Sequence, residues 1–362
     1  MKKQHFFLAS FLYVCAVLYL AITTPISPHE AKIFYTSEDL VATLMHWGDS
    51  FLGGFIGLRF IFILSGFLTI SLFYELSRRY FDKPEDAYMA TVLFMFLPGI
   101  LTATTLVNVA ILVLPLVLLF VLMYERASFW LLPFVMLALF FIHDASIIFF
   151  VALLLYALVH KDRKLGISST AFLIAFIYLS KGIEIGGGPS GHFLEIFGLY
   201  ASVFSPLLFL YFFYAMYRIL LREKKTLLWY ISFTALAFSL LLSIRQRIDI
   251  TDFAPYVMIS VILMLDVFNK SVRVRLPEFQ KRYKRAFYVV MVFLGLSASL
   301  IILHKVTYTL SSNSDKHFAK DIYEPYFLAK KLKADEVPCY KGARGRERYQ
   351  LRYYGVLLCS NY

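Results

Sequence analysis

Residues 26–66, ISPHEAKIFYTSEDLVATLMHWGDSFLGGFIGLRFIFILSG, join one long apolar run to the next and gather His29, Glu30, Glu38, Asp39, His46 and Asp49 in a chain otherwise poor in charge. The runs on either side, 6–24 and 52–76, are close to or above the roughly 20 residues that cross a hydrocarbon core. Behind the basic start MKKQ, the first run lacks the small-residue cleavage pattern of a signal peptide and reads as a retained helix. Proton-transfer groups collected between two spans lie at a membrane surface, where chemistry on a lipid-linked substrate belongs. The stretch is the candidate active site.

Working outward, composition fixes the class. Of 362 residues, 60% are hydrophobic and 17% charged, against roughly 45–50% apolar and about 25% charged in soluble domains. The mean hydropathy is +0.69. Nine further apolar runs follow the first two, at 87–105, 108–124, 128–142, 145–159, 167–179, 194–221, 227–244, 253–268 and 287–303. The expectation is an all-α polytopic membrane protein of about eleven transmembrane helices. The runs at 128–142, 145–159 and 167–179 are short for a full crossing, so they extend through polar ends or include a re-entrant pair. A transmembrane domain over 1–306, with a first extracytoplasmic loop at 25–50, precedes a small C-terminal domain at 307–362. There FAKDIYEPYFLAKKLK has helical apolar spacing, while VPCYK and RYQLRYYGVLLCS are β-rich, which predicts an α/β tail.

Lys and Arg set the orientation, because short loops rich in them stay cytoplasmic. Twenty fall in the loops of one side, including LSRRYFDKPED, HKDRKLG, YRILLREKK and NKSVRVRLPEFQKRYKR; the other side's loops hold Lys32, Lys181, Arg245 and Arg247. This places the amino terminus in the cytoplasm of a plasma-membrane protein, and the candidate site and carboxyl tail outside. The net charge of +12 is explained by cytoplasmic loops beside anionic headgroups, so membrane lipid is the expected partner and nucleic acid is not.

Of three cysteines, Cys15 lies within a span and reads as a small apolar residue, whereas Cys339 and Cys359 share the external tail, where a disulfide between them is expected. Arg59 sits inside an apolar run, where a charge costs roughly 2.5–3.5 kcal/mol, so it pairs with an acid of the first loop or contacts substrate. His143 and Asp144 end one span, as a substrate-positioning pair or as a turn. Arg245 and Arg247 offer guanidinium forks to a phosphate, or pair with Asp249 or Asp252. The glycine-rich loop 181–192 follows a helix, not a strand, and reads as a flexible lid instead of a nucleotide site.

The order of these features resembles the GT-C superfamily of polyprenyl-phosphate-sugar-dependent glycosyltransferases, in the branch of protein mannosyltransferases and the aminoarabinose transferase of lipid A. HEAKIFY at 29–35 is similar to the family's extracytoplasmic Asp-Glu motif. FLGGFIGLRFIFILSGFLTISLFYELSRRYF resembles its glycine turn, arginine, small-residue helix and basic loop. FMFLPGI, SIRQRIDITDFAPY and the tail fit later landmarks. The chain departs from the pattern at His29, which replaces the first acid, at Asn108, which stands where a second acid is expected, and at HWGDS, which replaces paired prolines.

The resemblance implies transfer of a sugar from a polyprenyl-phosphate donor to an envelope acceptor. Such a reaction needs a base for the acceptor hydroxyl and positive groups for the departing phosphate. A neutral imidazole meets the first need, so His29 is the candidate base with Glu30 as its partner, and Glu38, Asp39 or Asp49 the alternatives. Glu30 fits equally well as an acid in the first turn of an interfacial helix. Some relatives of the superfamily use a metal, which leaves a divalent ion on His29, Glu30 and Asp49 open. The competing function classes are a non-catalytic binder or transporter of polyprenyl-linked lipids and a surface-polysaccharide polymerase.

Overall fold

A computed structural model describes residues 1–126, 130–179, 191–310, 317–337, 339–357 and 359. Residues 181–190 of the glycine-rich loop lie outside them. Among the described residues there are nineteen α-helices and one 3₁₀ turn, and no strand. α1 (Lys3–Thr23) leads to two short helices, α2 (Pro28–Thr36) and α3 (Leu40–Leu52), and then to α4 (Gly54–Tyr80). α5 (Pro84–Met95), α6 (Pro98–Thr105), α7 (Ala110–Glu125), α8 (Leu132–Ile142), α9 (Ile147–His160) and α10 (Arg163–Tyr178) follow. Next come α11 (Phe193–Phe204), α12 (Pro206–Arg222), α13 (Leu227–Arg245), α14 (Ile250–Met258), α15 (Val261–Arg273) and α16 (Pro277–Ile302). α17 (His304–Leu310), α18 (Lys320–Ala334) and α19 (Glu347–Tyr353) form the tail.

Over the described residues all eleven apolar runs are helical, but they are not eleven straight spans. Among the described residues, α1, α4, α13 and α16 are long and apolar enough to cross a membrane, and the number is seven if three bent pairs each count as one. Those pairs are α5 with α6, bent by 61°, α11 with α12, by 106°, and α14 with α15, by 42°. Proline opens the second helix of the first two pairs. The residue before a proline is driven out of the α region, and Ser205, before Pro206, sits at φ 86°. α7, α8 and the segment Asp144–His160 are apolar but only 10–17 residues long.

The chain divides into two compact units, neither continuous in sequence. The first is Met1–Tyr13, Ser65–Leu101 and Val109–Ala298. α7 and α13 are buried around much of their circumference in it, as helices apolar on all sides are. Two of its buried hydroxyls are paired within it: Tyr256 donates to Ser146 Oγ at 3.1 Å, and Tyr200 to Ser239 Oγ at 2.9 Å.

The second unit is Val14–Leu64, Thr102–Asn108 and Ser299–Tyr362, which joins the tail to the first loop. The β-rich reading of the tail is corrected at RYQLRYY. These residues form α19, because a helix there buries Gln350 and Leu351 together, and side-chain burial overrides β propensity. Leu351 packs with Ala329 and Val356 in a small core, and a disulfide joins Cys339 to Cys359. α3 turns into α4 through Gly53 and Gly54, at φ 65° and 64°, where a side chain would be strained. α3 crosses α4 at Gly48 and Gly57, so closely that a Cβ on Gly48 would lie 2.2 Å from the Gly57 carbonyl oxygen.

Candidate functional site

The sequence Ser27-Pro28-His29-Glu30 is a capping box. Ser27 Oγ accepts from the Glu30 amide at 3.2 Å, and the Ser27 amide donates to Glu30 Oε2 at 2.8 Å, with Pro28 at the first helical position of α2. This fixes where α2 begins and turns the Glu30 carboxylate inward, where it meets Arg59 from α4. Arg59 Nε donates to Oε1 and Nη2 to Oε2, each at 2.8 Å, and both side chains are wholly buried. The Val107 amide adds a fourth bond to the carboxylate at 2.9 Å.

The other N–H groups of Arg59 reach carbonyls at and beyond the end of α1. Nη1 donates to Thr24 at 2.8 Å and Ala21 at 3.2 Å, and Nη2 to Pro25 at 3.0 Å. These are carbonyls that a helix C-terminus leaves without partners, and the cation complements the dipole there. Five guanidinium hydrogens and four carboxylate lone pairs are thus all engaged. Burial alone would raise the Glu30 pKa, but the Arg59 charge and hydrogen bonds outweigh it and hold the carboxylate below its ordinary value. Neither group has a hydrogen-bonding position left for substrate.

His29, one residue earlier, is exposed. It lines a cavity of about 690 Å³ with Ser27, Leu106, α18 and the residues leading into α19. Asp321, Glu324 and Glu347 bring negative charge to its wall, and Arg344 and Arg346 positive charge. Sequence reasoning missed these five. The i, i+3 spacing of Asp321 and Glu324 on a predicted helix was the available signal. Gln350, almost fully buried, donates to the Ile26 and Asp321 carbonyls at 2.9 and 3.0 Å, and the Ile26 amide donates to the Tyr354 hydroxyl at 3.2 Å. These bonds hold the tail helices against the turn that carries His29.

The remaining first-loop candidates lie apart from that cavity's lining. Asp39 caps α3, accepting from the Ala42 amide at 2.9 Å. His46 Nε2 lies 3.1 Å from the Phe34 carbonyl. Asp49 acts electrostatically on Tyr35 and Tyr353; burial first, and then the Asp49 charge, push the Tyr353 phenol up to about 12. Arg352 lies over the Tyr35 ring at 4.4 Å. Among the described residues, no three His, Cys, Asp or Glu side chains gather as a metal site would require.

His143, Asp144, Arg245 and Arg247 belong to the other unit. His143 Nε2 is 3.4 Å from Asp252 Oδ1 without making a hydrogen bond. Asp144 opens the 3₁₀ turn before α9. Arg245 is the exposed last residue of α13. Arg247 pairs with Glu195 at 2.8 Å, and the same carboxylate lies 2.9 Å from His192 Nδ1. Glu195 is 52 residues from Arg247 in sequence, and no local pattern points to it.

No family model matches the sequence, and no curated protein does. Solved structures do. The crystal structure of ArnT from Cupriavidus metallidurans in the apo state is 16% identical with a TM-score of 0.55, over 96% of this chain and 74% of that one. The structure of the same protein bound to undecaprenyl phosphate is 13% identical with a TM-score of 0.55, over 98% and 75%. At these identities the likeness is one of fold: the chain has the polytopic fold of ArnT.

Proposed function

We propose that this protein is a membrane glycosyltransferase that moves a sugar from a polyprenyl-phosphate donor to an envelope acceptor, a lipid, glycan or protein, on the extracytoplasmic face. The observation that carries this reading is the likeness of nearly the whole chain to ArnT, one structure of which holds undecaprenyl phosphate. The distribution of Lys and Arg supports a cytoplasmic amino terminus and an external tail.

In this reading His29 is the general base. It accepts the proton of the acceptor hydroxyl as that oxygen attacks the anomeric carbon. The bond from this carbon to the phosphate oxygen breaks, its electron pair leaves with polyprenyl phosphate, and the imidazolium returns its proton to water. Glu30 and Arg59 take a positioning role in place of the catalytic and substrate-binding roles expected from sequence. Their hydrogen bonds fix the turn that presents His29. Asp39 and Asp49 remain candidates for the base should His29 prove dispensable. Arg245 and Arg247 are assigned to the donor phosphate, with Arg247 exchanging Glu195 for it, and His143 and Asp144 to substrate positioning.

Donor kinetics in reconstituted vesicles test these assignments. Arg245→Gln and Arg247→Gln should raise KM for the donor, because a bound phosphate loses charge-assisted hydrogen bonds. Unchanged KM in both variants would overturn the phosphate assignment.

A further inference from the structure

Beyond the proposed reaction, and independent of it, α12 and α15 end at a cavity of about 440 Å³ lined by Arg218, Arg222 and Arg275 together with Tyr214, Tyr217 and Ser271. We infer that this cavity binds the phosphate headgroup of an anionic phospholipid.

The charges in it are unbalanced. Arg218 is partly engaged, with Nε 3.4 Å from Glu223 Oε1 and Nη1 bonded to Ser271 Oγ. Glu223 is shared with Lys270 at 3.6 Å. Arg222 is exposed and has no acidic partner among the described residues. Arg275 lies over the Tyr283 ring, 3.6 Å from its centre, and its Nε is buried without an acceptor among the described residues. A buried guanidinium N–H calls for an oxygen partner. Three guanidinium groups around one space match the several oxygens and negative charge of a phosphate.

A lipid, not a soluble anion, is indicated by what leads to the cavity. On α12, Leu210, Phe213, Tyr214, Tyr217 and Leu221 are 43–59% exposed at helical spacing, so they form one apolar stripe that runs to the arginines. Acyl chains lie along such a stripe while the headgroup stays with the cations, and tyrosines belong at that boundary. Arg218, Arg222 and Arg275 also fall in the loops that charge assigns to the cytoplasmic side, where anionic lipid is concentrated.

The test is native mass spectrometry of the purified full chain titrated with phosphatidylglycerol or phosphatidylcholine, with inorganic phosphate in excess as a third arm. Phosphatidylglycerol should be retained in preference to phosphatidylcholine. Arg222→Gln, an exposed change that leaves folding intact, should weaken it about fivefold, and Arg222→Gln with Arg275→Gln about thirtyfold. Equal retention of the two lipids, or of phosphatidylglycerol by wild type and Arg222→Gln, would overturn the site. Displacement of the lipid by inorganic phosphate would show that the pocket takes a soluble anion and would overturn the lipid assignment.

Discussion

Replacing Glu30 with Gln tests the hub that holds the candidate site together. All four partners of the carboxylate are N–H donors: Arg59 twice, the Ser27 amide and the Val107 amide. An amide in its place has one oxygen to accept and one NH₂ that must face donors, so two bonds are lost whichever way it is turned. Arg59 also keeps its charge while wholly buried. Removing one partner of a buried pair costs about 3–5 kcal/mol, and the donor clash places Glu30→Gln in the upper part of that range. In thermal unfolding of the full chain in detergent, the expected fall in Tm is on the order of 5–10 °C. Arg59→Leu should cost a similar amount, since it leaves the carboxylate buried with two amides and strips three carbonyls of their donors. The double variant Glu30→Gln with Arg59→Leu should cost less than the sum by about 1–3 kcal/mol. The folded Glu30 pKa is depressed below 4.5, so its contribution is present above pH 4.5 and is lost as pH falls through the folded value. Neutral pH therefore reads the full effect. An unchanged Tm in Glu30→Gln, or strictly additive single variants, would show that the Glu30–Arg59 pair is not the hub of this unit.

Two further outcomes concern the tail. His304 Nδ1 lies 2.8 Å from the Ile301 carbonyl and Nε2 lies 3.1 Å from the Tyr323 hydroxyl, which suits a neutral ring that donates at one nitrogen and accepts at the other. Burial, aided by the charges of His317, Arg59 and Lys305, lowers its pKa from 6.5 despite the opposing Ile301 bond. Its contribution is therefore complete above pH 6.5 and is lost as pH falls below 6.5 toward the folded value. The Tm of wild type should drop across that range more steeply than that of His304→Asn, and equal slopes would count against the assignment. The disulfide spans a sequence separation of 20, which restricts the unfolded tail by about 3 kcal/mol in the chain-entropy model. Cys339 and Cys359 should take up a thiol label only after reduction, and labelling of both without reductant would contradict the pairing.

Much of this was legible in the sequence because bilayer physics is coarse. The long apolar runs are helical over their described residues, Arg59 in an apolar run required a partner, and Glu30 fitted the first turn of a helix, which is α2. The bends were less visible. A run such as 194–221 reads as one span until the restriction that Pro206 places on Ser205 is given its weight. The β-rich reading of RYQLRYY failed because tyrosine's strand preference is weak beside the core that Leu351 enters as part of a helix. The contents of the cavity at His29 were hidden for another reason. Asp321, Glu324, Arg344 and Arg346 come from helices and turns some three hundred residues away, and tertiary contacts, among them the bonds of Gln350 and Tyr354 to the first loop, bring them there.

The measurement that bears most directly on the proposed function is the release of polyprenyl phosphate from a polyprenyl-phosphate-linked sugar by vesicles holding the purified chain, with donor binding measured alongside. Wild type should turn over, and His29→Ala should be slower by about two to four orders of magnitude with donor binding unchanged. Donor binding by wild type without release of polyprenyl phosphate would contradict catalysis and leave a lipid binder or transporter, and normal turnover by His29→Ala would move the base elsewhere in the first loop.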